Sequence, residues 1–467
     1  MTTARAPQFS VSTNDAARAG DQNHLVLFYS GTARSFQTTL VGYLHETAQR
    51  FPVVILSETL SPEIAVALSN SRLFPQLKEI VPVCQFSGKP RGVLAMNRYA
   101  CKTARAFIAR FNPSVVVAPS DNDSLFELYL MRFARKAGAF CVSISCTLTH
   151  PDVRMLRRYV DRRNVHARTP AWWPMWLRLT VIKLRKYAAH ALVYWFLPLL
   201  QKQPPFWGLT SYILFRGISG MRDAHLQIVM SEKDHHIYRG RGVPTGKLRY
   251  LPHPASRTRQ FFEQVVWKVS GVGTSRERLA LFLLPENTIS FRGQSCAIIP
   301  EEDVLQRRFE LIHAAVEELP GWQISVKPHP IIKSVTALVE RCAIFGNRIQ
   351  FVDPKARLES CIQNADLVAD LPLSGSTGLF SACLQRPGIP KFAINCDDEF
   401  FGDYYRRFPG VEYITSVDQF RAALRLVHHG LYHRPDGVAP ASGGSVDSLL
   451  SFIVDWQKKG LREETTT

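Results

Sequence analysis

What the 467-residue chain lacks narrows it before anything else. It has no CxxC pair: its nine cysteines are odd in number and scattered, so neither a disulfide framework nor a zinc or other metal site is expected, and a reducing compartment follows. Residues 1–23 are polar with no apolar h-region, so no secretory signal is expected and the catalytic face should be cytoplasmic. No apolar run reaches the roughly 20 residues that a bilayer crossing needs; the best candidate, 187–200, holds 14 residues and contains Pro198. There is no GxGxxG after the first strand pattern, so a dinucleotide is not expected, nor any other cofactor. Acid is also scarce, with 39 Asp and Glu against 57 Lys and Arg. The resulting +18 implies an anionic partner. RRM, KH, zinc-finger and helix-turn-helix signatures are missing, so nucleic acid is not the expected one.

What is present is the composition of a folded chain, 46% hydrophobic and 11% aromatic, long enough for two or three domains. After the polar tail (1–23), short β-branched runs alternate with longer amphipathic stretches, the pattern of a parallel sheet covered by helices. Strands are expected at 24–30, 53–57, 79–86, 114–120 and 140–145, making 24–150 a Rossmann-like domain. The alternation returns to that domain at 223–263, crosses a linker at 264–278, and builds a second Rossmann-like domain at 279–467, with strands at 279–284, 322–326, 348–352, 366–370 and 390–395. Two such halves facing a cleft describe the α/β architecture called GT-B.

Between the two runs of alternation lies an insertion, 151–222, of another character. Its stretch 151–186 carries ten Lys and Arg, among them Arg157, Arg158, Arg162 and Arg163, against two Asp. Five of the eight tryptophans fall in it, Trp172, Trp173, Trp176 and Trp195 among them. Cations beside an aromatic cluster and an apolar stretch too short to span suit a helical segment lying in an anionic membrane surface. A buried interdomain hairpin would explain the tryptophans but leave the cations needing partners.

Two loops of the second half fall just past strand ends, where parallel sheets bind ligands. Lys327-Pro328-His329-Pro330 presents two possible cations stiffened by two prolines, which suits a phosphate leaving group; a proline-rich turn has the same composition. Ser374-Gly375-Ser376-Thr377-Gly378 opens a helix, where free backbone N–H groups and the helix dipole favour an anion, or where a hydroxyl simply caps. Glu286 and Thr288, after the first strand of this half, could read a nucleobase. In the first half, Asp121 and Asp123 follow the 114–120 strand at its carboxyl end and are the first candidates for a general base, with an Asx turn or helix cap as the other use of the same residues. Were neither to act, His24 and Glu58 come next. His253-Pro254 reads as a turn at the domain junction.

Lys327-Pro328-His329-Pro330, Ala365-Asp366-Leu367-Val368 and Ser376-Thr377, in this order before Gln385-Arg386-Pro387-Gly388-Ile389-Pro390, resemble the KxHP and Ser-Ser/Thr motifs of bacterial capsule and lipooligosaccharide sialyltransferases, polysialyltransferases, Kdo transferases and teichoic-acid polymerases. The resemblance covers roughly the last 150 to 240 residues. It implies an inverting, metal-independent GT-B glycosyltransferase using a cytidine-nucleotide donor, with 24–150 on the acceptor side and 279–467 as the nucleotide-donor domain. His329 and Lys327 would contact the donor phosphate, and Ser376 and Thr377 would hold it at the helix N-terminus. Many UDP-sugar enzymes of this fold place a Glu on that helix for the ribose, whereas this turn reads Gly378-Leu379-Phe380-Ser381, which favours CMP or CDP donors. The related sialyltransferases carry an acidic D/E-D/E-G motif in the first half, which Asp121-Asn122-Asp123 matches loosely, without the Gly. The expected enzyme builds a bacterial surface polysaccharide or glycolipid, peripherally on the inner face of the inner membrane. A CDP-polyol phosphotransferase of teichoic-acid type and a non-enzymatic basic protein binding polyanions are the alternatives.

Overall fold

The computed structural model describes residues 24–31, 36–83, 93–121, 124–145, 177, 180, 220, 222–230, 232–240, 242–251, 253–266, 278–285, 288–291, 294–297, 300–330, 332, 335–371, 377–394, 410–433 and 448–464. The first half runs β1 (Val26–Ser30), α1 (Val41–Thr47, entered through a π turn at Phe36–Leu40), β2 (Val53–Ser57), α2 (Pro62–Ser69), β3 (Leu77–Pro82), α3 (Val93–Phe111), β4 (Val115–Ala118), α4 (Leu125–Lys136) and β5 (Phe140–Ile144). It resumes with β6 (Leu226–Val229), α5 (Glu232–Gly240), β7 (Leu248–Tyr250) and α6 (Ala255–Phe261), which continues as a π turn to Val266. The second half comprises β8 (Leu279–Leu284), the strands β9 (Thr288–Phe291) and β10 (Gln294–Ala297), α7 (Glu301–Glu318), β11 (Gln323–Pro328), α8 (Thr336–Cys342), β12 (Ile349–Phe351), α9 (Leu358–Asn364), β13 (Leu367–Asp370), α10 (Thr377–Gln385), β14 (Lys391–Ile394), β15 (Glu412–Ile414) and α11 (Val417–His428). A last helix, α12 (Leu449–Glu464), closes the chain.

The first sheet has seven strands in the order β3-β2-β1-β4-β5-β6-β7, and the second has six in the order β12-β11-β8-β13-β14-β15. Every pair in both is parallel. The strands β1, β2, β4 and β5 are buried at every position, which is why VLFYS, VVILS, VVVA and FCVSI are continuous apolar runs instead of alternating ones. Leu27 and Tyr29 face α3 and α4, while Val26 and Phe28 face α1 and α6. At α4 the Ser-x-x-Glu signature is a full capping box: Ser124 accepts from the Glu127 N–H, and the Glu127 carboxylate accepts from the Ser124 N–H.

Two independent sheets with helical covers make the GT-B-like α/β fold expected from the alternation. Most strand limits shift by one or two residues, and one shift matters: Lys327 and Pro328 belong to β11, paired with Leu283 and Leu284. Proline is tolerated there because the strand is ending and its missing N–H costs little. The antiparallel hairpin of β9 and β10 has too few residues to advertise a period in the sequence. Helix α12 follows the second half in the chain but packs on the first. Leu449 and Ile453 are fully buried in the core that holds Val26 and Phe28, and Trp456 stacks on Phe140 at 4.7 Å. Each of those aliphatic side chains is worth about 1.5–3 kcal/mol of burial, enough to tie the chain end down. Of the insertion 151–222, only 177, 180, 220 and 222 lie among the described residues, so Arg157, Arg158, Arg162, Arg163, Trp172, Trp173, Trp176 and Trp195 fall outside them.

Candidate functional site

In a parallel sheet all carboxyl ends share one edge, and a crevice opens where the strand order reverses. Here the reversals lie between β1 and β4 and between β8 and β13. Residues from the carboxyl edges of the two sheets meet each other. Phe380, in the first turns of α10, sets its ring edge-on to His253, just beyond β7, at 5.1 Å. Arg357, ahead of α9, reaches Glu63 at 3.2 Å and Ser61 at 3.4 Å on α2. That exposed ion pair adds little stability; it marks how closely the halves approach.

In the second half, β11 and β13 flank β8, so the carboxyl ends of these two strands stand about 10 Å apart, two strand spacings. His329 is partly exposed, and its backbone is pinned on both sides: its N–H donates to the Leu284 carbonyl at 2.9 Å, and its carbonyl accepts from the Ile332 N–H at 2.9 Å. Thr377 opens α10 and Gly378 is buried; Ser374 and Ser376 lie outside the described residues, as does the side chain of Thr377. No acid stands in the first turn of α10. Glu286 lies outside the described residues, and Thr288 opens β9.

Lys327 departs from its expected role. It is 5% exposed, and its ammonium donates to the carbonyls of Pro354 (2.7 Å) and Pro328 (3.2 Å), clipping the segment after β12 to the end of β11. A lysine committed beneath the loop supports the edge instead of standing open to a phosphate.

Asp121 departs further. It is fully buried, and its carboxylate accepts the backbone N–H groups of Gly220 (2.8 Å), Arg222 (2.9 Å) and Ala224 (3.3 Å). Burial raises its pKa, and those three N–H bonds oppose the rise. Both oxygens gather in the chain where it returns from the insertion, which gives the carboxylate a structural use. Gly220 is required at that turn: its φ is +83°, and a Cβ there would stand 2.8 Å from the Gln227 side chain. Arg132 pairs with Asp223 at 2.9 Å beside it. Asp123 lies outside the described residues.

Two residues of the edge gain importance. His253, read as part of a turn, has one nitrogen, Nε2, 2.6 Å from the Thr38 carbonyl, which makes Nε2 the donor and leaves Nδ1 as an acceptor sealed from solvent, with no partner among the described residues. Part of the residue reaches solvent, but neither nitrogen is free to hydrate a charge. Desolvation therefore lowers its pKa to about 4, with the carbonyl contact opposing. The unfolded chain binds that proton below about 6.5 and the folded chain does not, so stability should fall by about 3 kcal/mol as the pH drops from 7 to 4. Urea melts of wild type and His253→Gln across that range test this, and the variant should lose that part of the slope. Glu58, first after β2, is half-buried, and its Oε1 accepts the hydroxyl proton of Tyr29. Both residues follow strand ends, as Asp121 does, so strand-end position alone could not rank them.

Among the described residues no cluster of His, Cys, Asp and Glu could hold a metal, and no helix is long and apolar enough to cross a membrane. Cys101, Cys141, Cys342, Cys361 and Cys383 are in no disulfide; burial pushes Cys141 up to about 12 and Cys342 to about 11, which leaves both inert. A cavity of about 320 Å³ among Arg278, Trp322, Asp366 and Tyr432 lies at the opposite, amino edge of the second sheet.

No family model and no curated protein sequence matches the chain. Its fold does match solved structures. The UDP-GlcNAc 2-epimerase of Methanocaldococcus jannaschii superposes with a TM-score of 0.54 at 12% identity, over 93% of this chain and 99% of that one. The UDP-GlcNAc 2-epimerase of Neisseria meningitidis, crystallised with UDP-GlcNAc, gives 0.51 at 8% identity, over 94% and 100%. At such identities the likeness is one of fold, and the chain shares with these proteins the GT-B-like pairing of two Rossmann-like domains across a cleft.

Proposed function

We propose that the protein is an inverting, metal-independent glycosyltransferase that takes a sugar from a nucleotide donor, CMP-linked in preference, to build a bacterial surface polysaccharide or glycolipid. The observation that carries this reading is that β11, which ends in the KxHP motif, and β13, which precedes α10 in the chain, lie on either side of β8, at the strand-order reversal of the second half. A phosphate between them would meet the His329 imidazole from one side and the N–H groups and hydroxyls opening α10 from the other. Ser376 and Thr377 supply those hydroxyls. The absence of an acid in the first turn of α10 supports a cytidine nucleotide over a uridine one.

A second reading, isomerisation of a UDP-sugar, takes its support from the fold shared with UDP-GlcNAc 2-epimerases. One experiment separates the two. Thermal shift with CMP, CDP, UDP and GDP identifies the nucleotide, since any ligand preferring the folded state raises the melting temperature. Product analysis with the matching donor then reads the chemistry: free nucleotide and a lengthened acceptor for transfer, an altered nucleotide sugar for isomerisation, and a transferred polyol phosphate for the teichoic-acid type.

The membrane role of 151–222 belongs to the same proposal, with Arg157, Arg158, Arg162 and Arg163 meeting anionic headgroups and Trp172, Trp173, Trp176 and Trp195 seated at the headgroup boundary. The protein should float with anionic liposomes at low salt, and charge reversal at the four arginines should release it. Protein that stays in the soluble fraction would assign that charge to an acidic polymer acceptor instead.

A further inference from the structure

Glu58 is the first residue beyond β2, the neighbour of β1, and so stands one strand from the reversal of the acceptor half. Its backbone N–H donates to the Ser30 carbonyl at 3.1 Å, which fixes it to the end of β1. Its Oε1 is clamped by the hydroxyl of Tyr29, a fully buried residue. Its Oε2 has no protein partner among the described residues and is not sealed from solvent. Gly31 lets the chain pass closely over this pair, since a Cβ there would stand 3.0 Å from the Tyr29 hydroxyl. Just beyond Glu58, Ser61 and Glu63 touch Arg357 of the other half, so the loop that carries the carboxylate leads directly to the meeting of the two halves. Other carboxylates of this half are spoken for: Asp121 by three N–H groups, Glu127 by its capping box, Asp223 by Arg132, Glu46 by Arg257 and Glu63 by Arg357.

We infer that Glu58 is the general base of the transfer, an assignment that rests on the glycosyltransferase reading above. Its Oε2 takes the proton of the acceptor hydroxyl while the acceptor oxygen bonds to the anomeric carbon of the donor sugar. The bond from that carbon to the phosphate oxygen breaks, and the nucleotide leaves with its electron pair. Burial raises the Glu58 carboxyl above the usual range, toward the operating pH a base needs, and the Tyr29 hydrogen bond restrains the rise. Tyr29 itself is held well above 10, first by burial and then by Glu127 and Glu58, so it stays protonated and remains a donor. The groups facing the pair are Tyr29 on β1, Ser124 and Glu127 on α4, and, farther along the loop, Glu63 on α2 with Arg357 ahead of α9.

The test uses the full-length protein with the donor found by the nucleotide screen. Glu58→Gln should lower acceptor-dependent transfer roughly 10²- to 10⁴-fold with nucleotide affinity, measured by calorimetry, unchanged. Tyr29→Phe removes the bond that favours the carboxylate, so the acid limb of kcat/KM should move to higher pH, which a purely structural tyrosine would not produce. Wild-type turnover in Glu58→Gln, or an acid limb unmoved in Tyr29→Phe, overturns the assignment, as does loss of that limb in Asp123→Asn alone. If Glu58→Gln does not fold, the Tyr29→Phe profile decides by itself. A wild-type protein that binds nucleotide but transfers nothing from any donor removes the glycosyltransferase reading and the base with it, an outcome told apart from the others by the wild type alone.

Discussion

His329→Ala should abolish most transfer, by about 10²- to 10³-fold or more, in a protein that melts where the wild type does. The imidazole sits at the carboxyl end of β11 and is partly exposed, so its removal opens no cavity in the core. What fixes the position is backbone: the bonds to Leu284 and Ile332 persist when the side chain is trimmed. The loss should therefore fall on the step in which charge grows on the departing phosphate, appearing in kcat more than in the dissociation constant of the nucleotide. Steady-state turnover beside a thermal melt reads both. A folded variant with undiminished turnover would take His329 out of the chemistry and leave Lys327-Pro328-His329-Pro330 as a turn that shapes the edge.

The largest stability effect should come from Asp121→Ala. The carboxylate accepts the N–H groups of Gly220, Arg222 and Ala224, joining the end of β4 to the segment that enters β6. Truncation takes that acceptor away from three N–H groups in a turn where Gly220, Asp223 and Ala224 are buried. A loss of about 3 kcal/mol or more is expected in denaturant melts, with Asp121→Asn intermediate because an amide oxygen can still accept. Nucleotide affinity of the folded fraction should be unchanged, since the residues proposed to hold the nucleotide belong to the second half of the chain. A base would behave in the opposite way, with Asp→Asn leaving the melt intact and removing turnover. A variant as stable as wild type that turns over slowly would return Asp121 to the chemistry.

Much of the architecture is readable from residues in a row. Strands buried on both faces must be apolar throughout, so VVILS and LALFLL announce parallel sheets without reference to any neighbour. Parallel order then sends every strand-end residue to one edge, which is how Asp121, His329 and the loop before Thr377 could be singled out with no structure at all. The same logic reads the capping box of α4 from Ser124 and Glu127.

What that logic leaves undecided is how each edge residue is used, because its partner is remote in the chain. Asp121 meets the segment beginning at Gly220, Lys327 meets Pro354, Glu58 meets Tyr29, and His253 meets Thr38. A carboxylate or an ammonium at a strand end has one local sequence signature whether it is buried under backbone groups or open to a ligand; burial and hydrogen bonding separate the two uses, and both are properties of the assembled fold. The last helix makes the same point on a larger scale. The amphipathic pattern of 449–464 announces a helix with an apolar face. That Leu449, Ile453 and Trp456 spend that face on the first half, beside Val26 and Phe140, was decided only when the two sheets came together, since an apolar stripe specifies that it must be covered and not by what.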